Sequence, residues 1–299
     1  MAPVSSGPPA GSGSSQTFTF TFSDSAGYQN LGVVDILIQS ALDGRHACYL
    51  AFVPSGPAAG VIDLVDDAGD AGGPYSFVQL PGSGTAQNSQ CSISAANSSV
   101  SSNGNTLTLT LAIAFSAGFA GNHVLYLSAQ DKSSANSGWQ ALGTWNVPGP
   151  PVSGPSVTGM SPASTAGRGP TTYTFTFGDT NGWQDIGVAD ILINSAIDGR
   201  QACYIAFVPS SASVLLVDDA GDAGGPYQGM LLPGSGSVSN SQCTIGATGS
   251  SVSESGSTLT LKLAITFVPA FAGNRLFFLA ARNDTLNSNW QAVGMAIVP

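Results

Sequence analysis

The sequence predicts an all-β protein of two tandem, immunoglobulin-like antiparallel β-sandwich domains. Three observations carry that expectation: the chain repeats itself along nearly its whole length, apolar residues alternate with a period of two, and four cysteines fall at matching places, two per copy. TFTFTFSDSAGYQNLGVVDILIQSALDGRHACYLAFVPS aligns with TYTFTFGDTNGWQDIGVADILINSAIDGRQACYIAFVPS at an offset of 155 residues. The offset becomes 152 after a loop that is three residues shorter in the second copy, and 151 by Trp139 and Trp290. A chain of 299 residues accommodates two domains of ordinary size, each with its own core. The expected boundaries are 1–148 for the first sandwich, with an extended arm over 1–16, then a linker over 149–162 and the second sandwich over 163–299. The prolines of VPGPPVSGPSVTGMSP favour an extended, semi-rigid connector, and its glycines allow some bend.

Taken in order, TFTFTF alternates threonine with phenylalanine, which places one face of a strand in a core and the other in water. VVDILI and ACYLAFV follow, joined across an Asp-Gly turn, and VIDLV runs into an acidic, glycine-rich stretch. CSIS, TLTLTLAIAF and HVLYLSA continue the period of two, and WQALGTWNV closes the copy. No segment shows an apolar stripe of period 3.6 with caps, so seven to nine short strands per copy indicate a sandwich. Cys48 and Cys91 are 43 residues apart, and Cys203 and Cys243 are 40 apart. That spacing suits one disulfide per domain better than a metal site built on close CxxC pairs; two buried free thiols per domain are the alternative. Disulfides imply an oxidising setting, hence a secreted or cell-surface protein.

The openings TFTFTFSD and TYTFTFGD, the late pairs LTLTLAIAF with HVLYLSAQD and LTLKLAITF with RLFFLAARN, and the closing GTWNVP and GMAIVP resemble the bacterial immunoglobulin-like repeats found in tandem in secreted and surface proteins. The resemblance implies a non-catalytic spacer, adhesion or ligand-binding module. The Cys…Trp…Cys order of antibody domains is absent, because Trp139 and Trp290 each follow both cysteines of their copy.

Charge narrows the partners. Only 8% of residues are charged, against about 25% in ordinary domains, and the net charge of -10 divides into -6 before Gly149 and -4 after it. Nucleic acid and anionic membrane surfaces are therefore poor partners, and divalent cations a better match. No apolar run approaches the roughly 20 residues of a membrane-spanning helix. The first fifteen residues lack the basic start and apolar centre of a signal peptide, so the expectation is a processed chain or a fragment of a longer one.

The stretch LVDDAGDAGGPY occurs twice, at 64–75 and 216–227. Asp66, Asp67 and Asp70, with Asp218, Asp219 and Asp222 in the second copy, are candidate calcium ligands, since a hard cation wants carboxylate, carbonyl and water oxygens and a glycine-rich turn lets carbonyls converge. Asp24 and Asp179, or Asp35 and Asp190, would assist if their loops meet the turn. The competing reading is turn chemistry alone, with Asp capping backbone N–H groups; the spacing is not that of an EF-hand. Arg45 and Arg200 either pair locally with Asp43 and Asp198 or reach Asp66 and Asp218 and hold the turn without metal.

Tyr28, Trp139, Trp183 and Trp290, flanked by polar residues, are the candidate platforms for stacking on a polysaccharide, or else covers for the ends of the core. The ladders Thr17, Thr19, Thr21 and Thr106, Thr108, Thr110 suggest ice binding only weakly, since Lys262 interrupts the second copy. Catalysis is not expected. His46 and His123 align with Gln201 and Arg275, and no nucleophile elbow, zinc motif or phosphate loop is present. The expected function is a non-enzymatic extracellular structural or adhesive module, self-assembling or contacting other protein subunits or matrix components and rigidified by calcium. Polysaccharide binding is the alternative.

Overall fold

The computed structural model describes every residue except Ala71 and Ala223. The chain forms two compact units, Met1–Gly149 and Pro150–Pro299. The first contains β1 (Ala2–Gly7), β2 (Ala10–Ser12), β3 (Ser15–Ser23), β4 (Leu31–Gln39), β5 (Cys48–Gly56), β6 (Ala59–Val65), β7 (Tyr75–Leu80), β8 (Thr85–Gln87), β9 (Cys91–Asn103), β10 (Thr106–Phe115), β11 (Gly121–Asp131) and β12 (Gln140–Val147). They make a five-stranded sheet in the order β1-β3-β10-β9-β8 and a seven-stranded sheet in the order β2-β12-β11-β4-β5-β6-β7.

That order is the immunoglobulin one. Strands A, B, E and D are β1, β3, β10 and β9, and strands G, F, C, C′ and C″ are β12, β11, β4, β5 and β6. Strand β2 adds to the larger sheet parallel to β12, and β7 extends it at the other edge.

The second unit repeats the plan with β13 (Pro155–Ser161), β14 (Ser164–Ala166), β15 (Thr171–Asp179), β16 (Val188–Asn194), β17 (Cys203–Val208), β18 (Ser213–Val217), β19 (Tyr227–Leu231), β20 (Ser237–Ser239), β21 (Cys243–Ser255), β22 (Thr258–Phe267), β23 (Gly273–Arg282) and β24 (Gln291–Val298). Its sheets run β13-β15-β22-β21-β20 and β14-β24-β23-β16-β17-β18-β19.

The period of two does what the sequence requires of it. Phe18, Phe20 and Phe22 on β3 and Leu107, Leu109 and Leu111 on β10 are fully buried, facing Ile36, Ile38, Leu50 and Phe52 of the other sheet. Thr19 and Thr21 pair with Thr110 and Thr108 on the outer face. Both disulfides form, Cys48–Cys91 and Cys203–Cys243. Each begins a strand of one sheet and a strand of the other, so it joins the two layers at one end. The arm over 1–16 joins its own domain, β1 pairing with β3 and β2 with β12. Within 149–162, β13 pairs with β15.

Candidate functional site

The acidic stretch leaves β6 at Val65 and enters β7 at Tyr75, and its carboxylates organise the turn between them. Asp66 Oδ1 accepts the Ala68 N–H at 3.1 Å and Asp70 Oδ1 the Gly72 N–H at 2.8 Å. Asp67 reaches outward, accepting the Ser89 hydroxyl at 2.5 Å, while its backbone carbonyl accepts the His46 N–H at 3.1 Å. The turn is thus laced to the β4–β5 loop and to the segment leading into β9. Gly69 has φ of +71°, and a Cβ there would lie 2.2 Å from the Gly44 carbonyl carbon, so the two loops touch backbone to backbone.

The second domain repeats these contacts. Ala220 donates to Asp218 at 3.1 Å, Gly224 to Asp222 at 2.9 Å, Ser241 to Asp219 at 2.5 Å and Gln201 to the Asp219 carbonyl at 3.0 Å. Every one of the six aspartates proposed from sequence therefore commits at least one oxygen to a local hydrogen bond. Among the described residues, no three His, Cys, Asp or Glu side chains come together as a cage for a metal ion.

The arginines pair locally. Arg45 grips Asp43 through Nε at 3.0 Å and Nη2 at 2.7 Å, and Arg200 grips Asp198 at 2.9 and 2.7 Å. The guanidinium beside each carboxyl holds it down at about 2. Neither arginine reaches the acidic turn, and exposed pairs of this kind add little stability.

Beside each turn lies a pocket. In the first domain it measures about 480 Å³ and is lined by Asp66, Asp67, Pro74, Tyr75, Gln87 and Asn88. In the second it measures about 400 Å³ and is lined by Asp218, Asp219, Pro226, Tyr227, Gln228 and Asn240. Asn88 holds the rear wall, donating to the Ala47 and Val65 carbonyls at 2.8 and 3.0 Å and accepting the Gln90 and Cys91 N–H groups at 2.9 and 3.0 Å. Across the mouth, the Gln87 N–H donates to the Ser76 hydroxyl at 3.1 Å; in the second domain the Ser239 N–H donates to the Gln228 side-chain carbonyl at 3.1 Å. Ser76 and Gln87 have exchanged identities with Gln228 and Ser239, so each pocket keeps one amide and one hydroxyl. Sequence reading found the aspartates and missed Tyr75, Tyr227 and the amides. Its available signal was that identity between the copies ends at Tyr75, where SFVQL faces QGMLL.

The four aromatics proposed as platforms fall in two places per domain. Tyr28 and Trp183 begin one-turn 3-10 helices, Tyr28–Asn30 and Trp183–Asp185, and lie half-buried against the core. Trp139 meets Tyr49 edge-on with ring centres 5.8 Å apart, and Trp290 meets Tyr204 at the same distance, on the outer face of the larger sheet. Tyr49 also hydrogen-bonds Asp35, a strand carboxyl that burial pushes up to about 6. Asp190 is likewise raised by burial, against the pull of Arg282 at 3.4 Å. Burial and these carboxylates push Tyr49 and Tyr204 up to about 12. None of these acids assists the acidic turn: Asp35 and Asp190 lie within β4 and β16, and Asp24 and Asp179 precede those strands, whereas the turn sits beyond their far ends.

No family model matches the chain, and no curated protein matches it. Among solved structures it is similar to fibronectin(III)-like modules of Clostridium thermocellum CbhA, at 12% identity and a TM-score of 0.21, covering 98% of this chain and 91% of that one. The immunoglobulin assignment rests on strand order and not on that likeness.

Proposed function

We propose that the protein is a non-enzymatic, extracellular adhesive module that holds a hydroxyl-rich polymer, a polysaccharide, through one pocket in each domain. The observation that carries this reading is the pocket itself, present twice with a carboxylate pair, an exposed tyrosine, an amide and a hydroxyl, the last two retained through a reciprocal Ser/Gln exchange. A tyrosine face stacks on a sugar ring while carboxylate and amide groups take its hydroxyls. Two weak sites on one chain bind a repeating ligand far more tightly than either alone.

The test is retention on insoluble glycans. Wild type is expected to be retained, Tyr75→Ala or Tyr227→Ala to weaken retention, and the double variant to lose it. Retention unchanged in the double variant overturns the pocket assignment. Retention lost instead in Trp139→Ala/Trp290→Ala moves the site to the outer sheet face.

A further inference from the structure

The two domains close the connection after β3 and β15 differently, and the difference leaves one buried carboxylate oxygen without a donor. In the first domain Asp24 is 4% exposed. Its Oδ1 accepts the Ala26 N–H at 2.8 Å and its Oδ2 accepts the Asn30 amide at 3.0 Å, with the Met1 ammonium 3.8 Å from the same oxygen. That oxygen has an amide donor. In the second domain Asp179 is 2% exposed, and its Oδ1 still accepts the Asn181 N–H at 2.8 Å. The residue matching Asn30 is Asp185, a carboxylate side chain in place of an amide donor. Asp179 Oδ2 is buried with no hydrogen-bond partner. Asp185 turns its own Oδ2 to the Asn181 and Asn283 amides at 3.1 and 2.8 Å.

A buried carboxylate oxygen without donor or counter-charge is strongly unfavourable, so the second domain needs a partner where the first supplies the Asn30 amide. We infer that Asp179 and Asp185 hold a calcium ion. Two carboxylates supply the charge, and backbone and water oxygens complete the six to eight that calcium accepts in irregular arrangements; magnesium demands a stricter octahedron than a short loop offers. With only two carboxylates, affinity falls in the range of about 10⁻⁴ to 10⁻³ M found in extracellular modules. The site is separate from the acidic turn, which lies beyond the other end of β16.

Asp185→Asn installs the amide that the first domain already uses, so the variant is expected to fold. In the full chain, millimolar calcium should slow hydrogen exchange in β15 and β16 and raise the unfolding midpoint, and EDTA should reverse both. Asp185→Asn should lose the response and, in EDTA, unfold at a higher temperature than wild type. Terbium luminescence excited through Trp183, two residues from Asp185, should be displaced by calcium, fall in Trp183→Phe and vanish in Asp185→Asn. Two results overturn the proposal. One is a second domain indifferent to calcium while Asp185→Asn still stabilises it in EDTA, which makes the amide exchange a local hydrogen-bond gain with no ion involved. The other is a calcium response that survives Asp185→Asn but disappears in Asp70→Asn/Asp222→Asn, which places the ion at the acidic turn.

Discussion

The corner of the core between β3, β11 and β12 is filled one way in the first domain and another way at the equivalent place in the second. In the first, Trp145 is buried edge-on to Phe18 with ring centres 5.0 Å apart, and its indole N–H donates to the Gly13 carbonyl at 2.9 Å. Gly11 must lack a side chain, because a Cβ would lie 2.4 Å from the indole. In the second domain Ala296 replaces the tryptophan, and three neighbours change with it: Tyr173 for Phe18, Phe277 for Leu125 and Thr165 for Gly11. The Phe277 ring lies 4.8 Å from Tyr173, and the Tyr173 hydroxyl bonds Thr165 Oγ1 at 2.8 Å. Bulk has moved from one strand to its neighbour, and a hydrogen bond has moved with it. The fold tolerates either filling because burial pattern and total volume are kept, whereas each single exchange would break one of them.

The largest effect is therefore expected from Trp145→Ala alone, a loss of about 3–5 kcal/mol from the first domain. Adding Leu125→Phe, Phe18→Tyr and Gly11→Thr should recover most of it, measured by denaturant unfolding with hydrogen exchange assigning the loss to β3 and β12. Strictly additive losses would show that the four positions are not one unit.

Next come the disulfides, which sharpen the comparison by being alike. Removing Cys48–Cys91 or Cys203–Cys243 opens loops of 43 and 40 residues, so each should cost about 4 kcal/mol by loop entropy. Unequal losses in Cys→Ala pairs, read by non-reducing thermal unfolding, would mean that strain or residual structure and not loop length decides.

How much of this was legible depended on where the information sits along the chain. The sandwich was legible because TFTFTF and TLTLTLAIAF carry a strand's period, and the disulfides because the cysteines match between copies. Strands β1 and β13 were not, since APVSSG and PSVTGMS have no apolar alternation and are held by backbone pairing to β3 and β15. The acidic turn was visible, but the pocket beside it needs the segment around Asn88 to return from more than twenty residues away. The Asn30-to-Asp185 difference stood in the alignment, yet it acquires meaning only once Asp179 is known to be buried.

A smaller effect separates the domains by pH. Asp35 is raised from 3.8 to about 6 by burial, and Gln130 stands where the second domain has Arg282. Between those values the folded first domain keeps a proton that the unfolded chain releases, so its stability should fall as pH rises from about 4 to about 6, by at most about 3 kcal/mol. Gln130→Arg or Asp35→Asn should flatten that window, seen in urea midpoints of the first domain taken at half-unit pH steps. A slope that survives both variants would assign it to another group.

The smallest effect concerns the corner leading into β11 and β23. His123 donates its Nε2–H to the Phe119 carbonyl at 2.9 Å and stacks on the Phe119 ring at 3.9 Å. Arg275 donates to the Phe271 and Ala272 carbonyls at 3.1 and 2.7 Å and sits 4.2 Å over the Phe271 ring. Both side chains tie the first residues of a strand to the 3-10 turn before it, the task a tyrosine performs in antibody domains. Since the second domain shows that arginine fits, His123→Arg should stay within about 1 kcal/mol of wild type at pH 7, and His123→Ala should lose about 1–2 kcal/mol. Acid then tells them apart. Burial lowers the His123 pKa from 6.5, so the stability that its neutral ring contributes is complete above that value and is lost as pH falls below it. The arginine variant, charged throughout, should show no such loss; equal acid sensitivity in wild type and His123→Arg would mean that the histidine ring is not the proton acceptor in this corner.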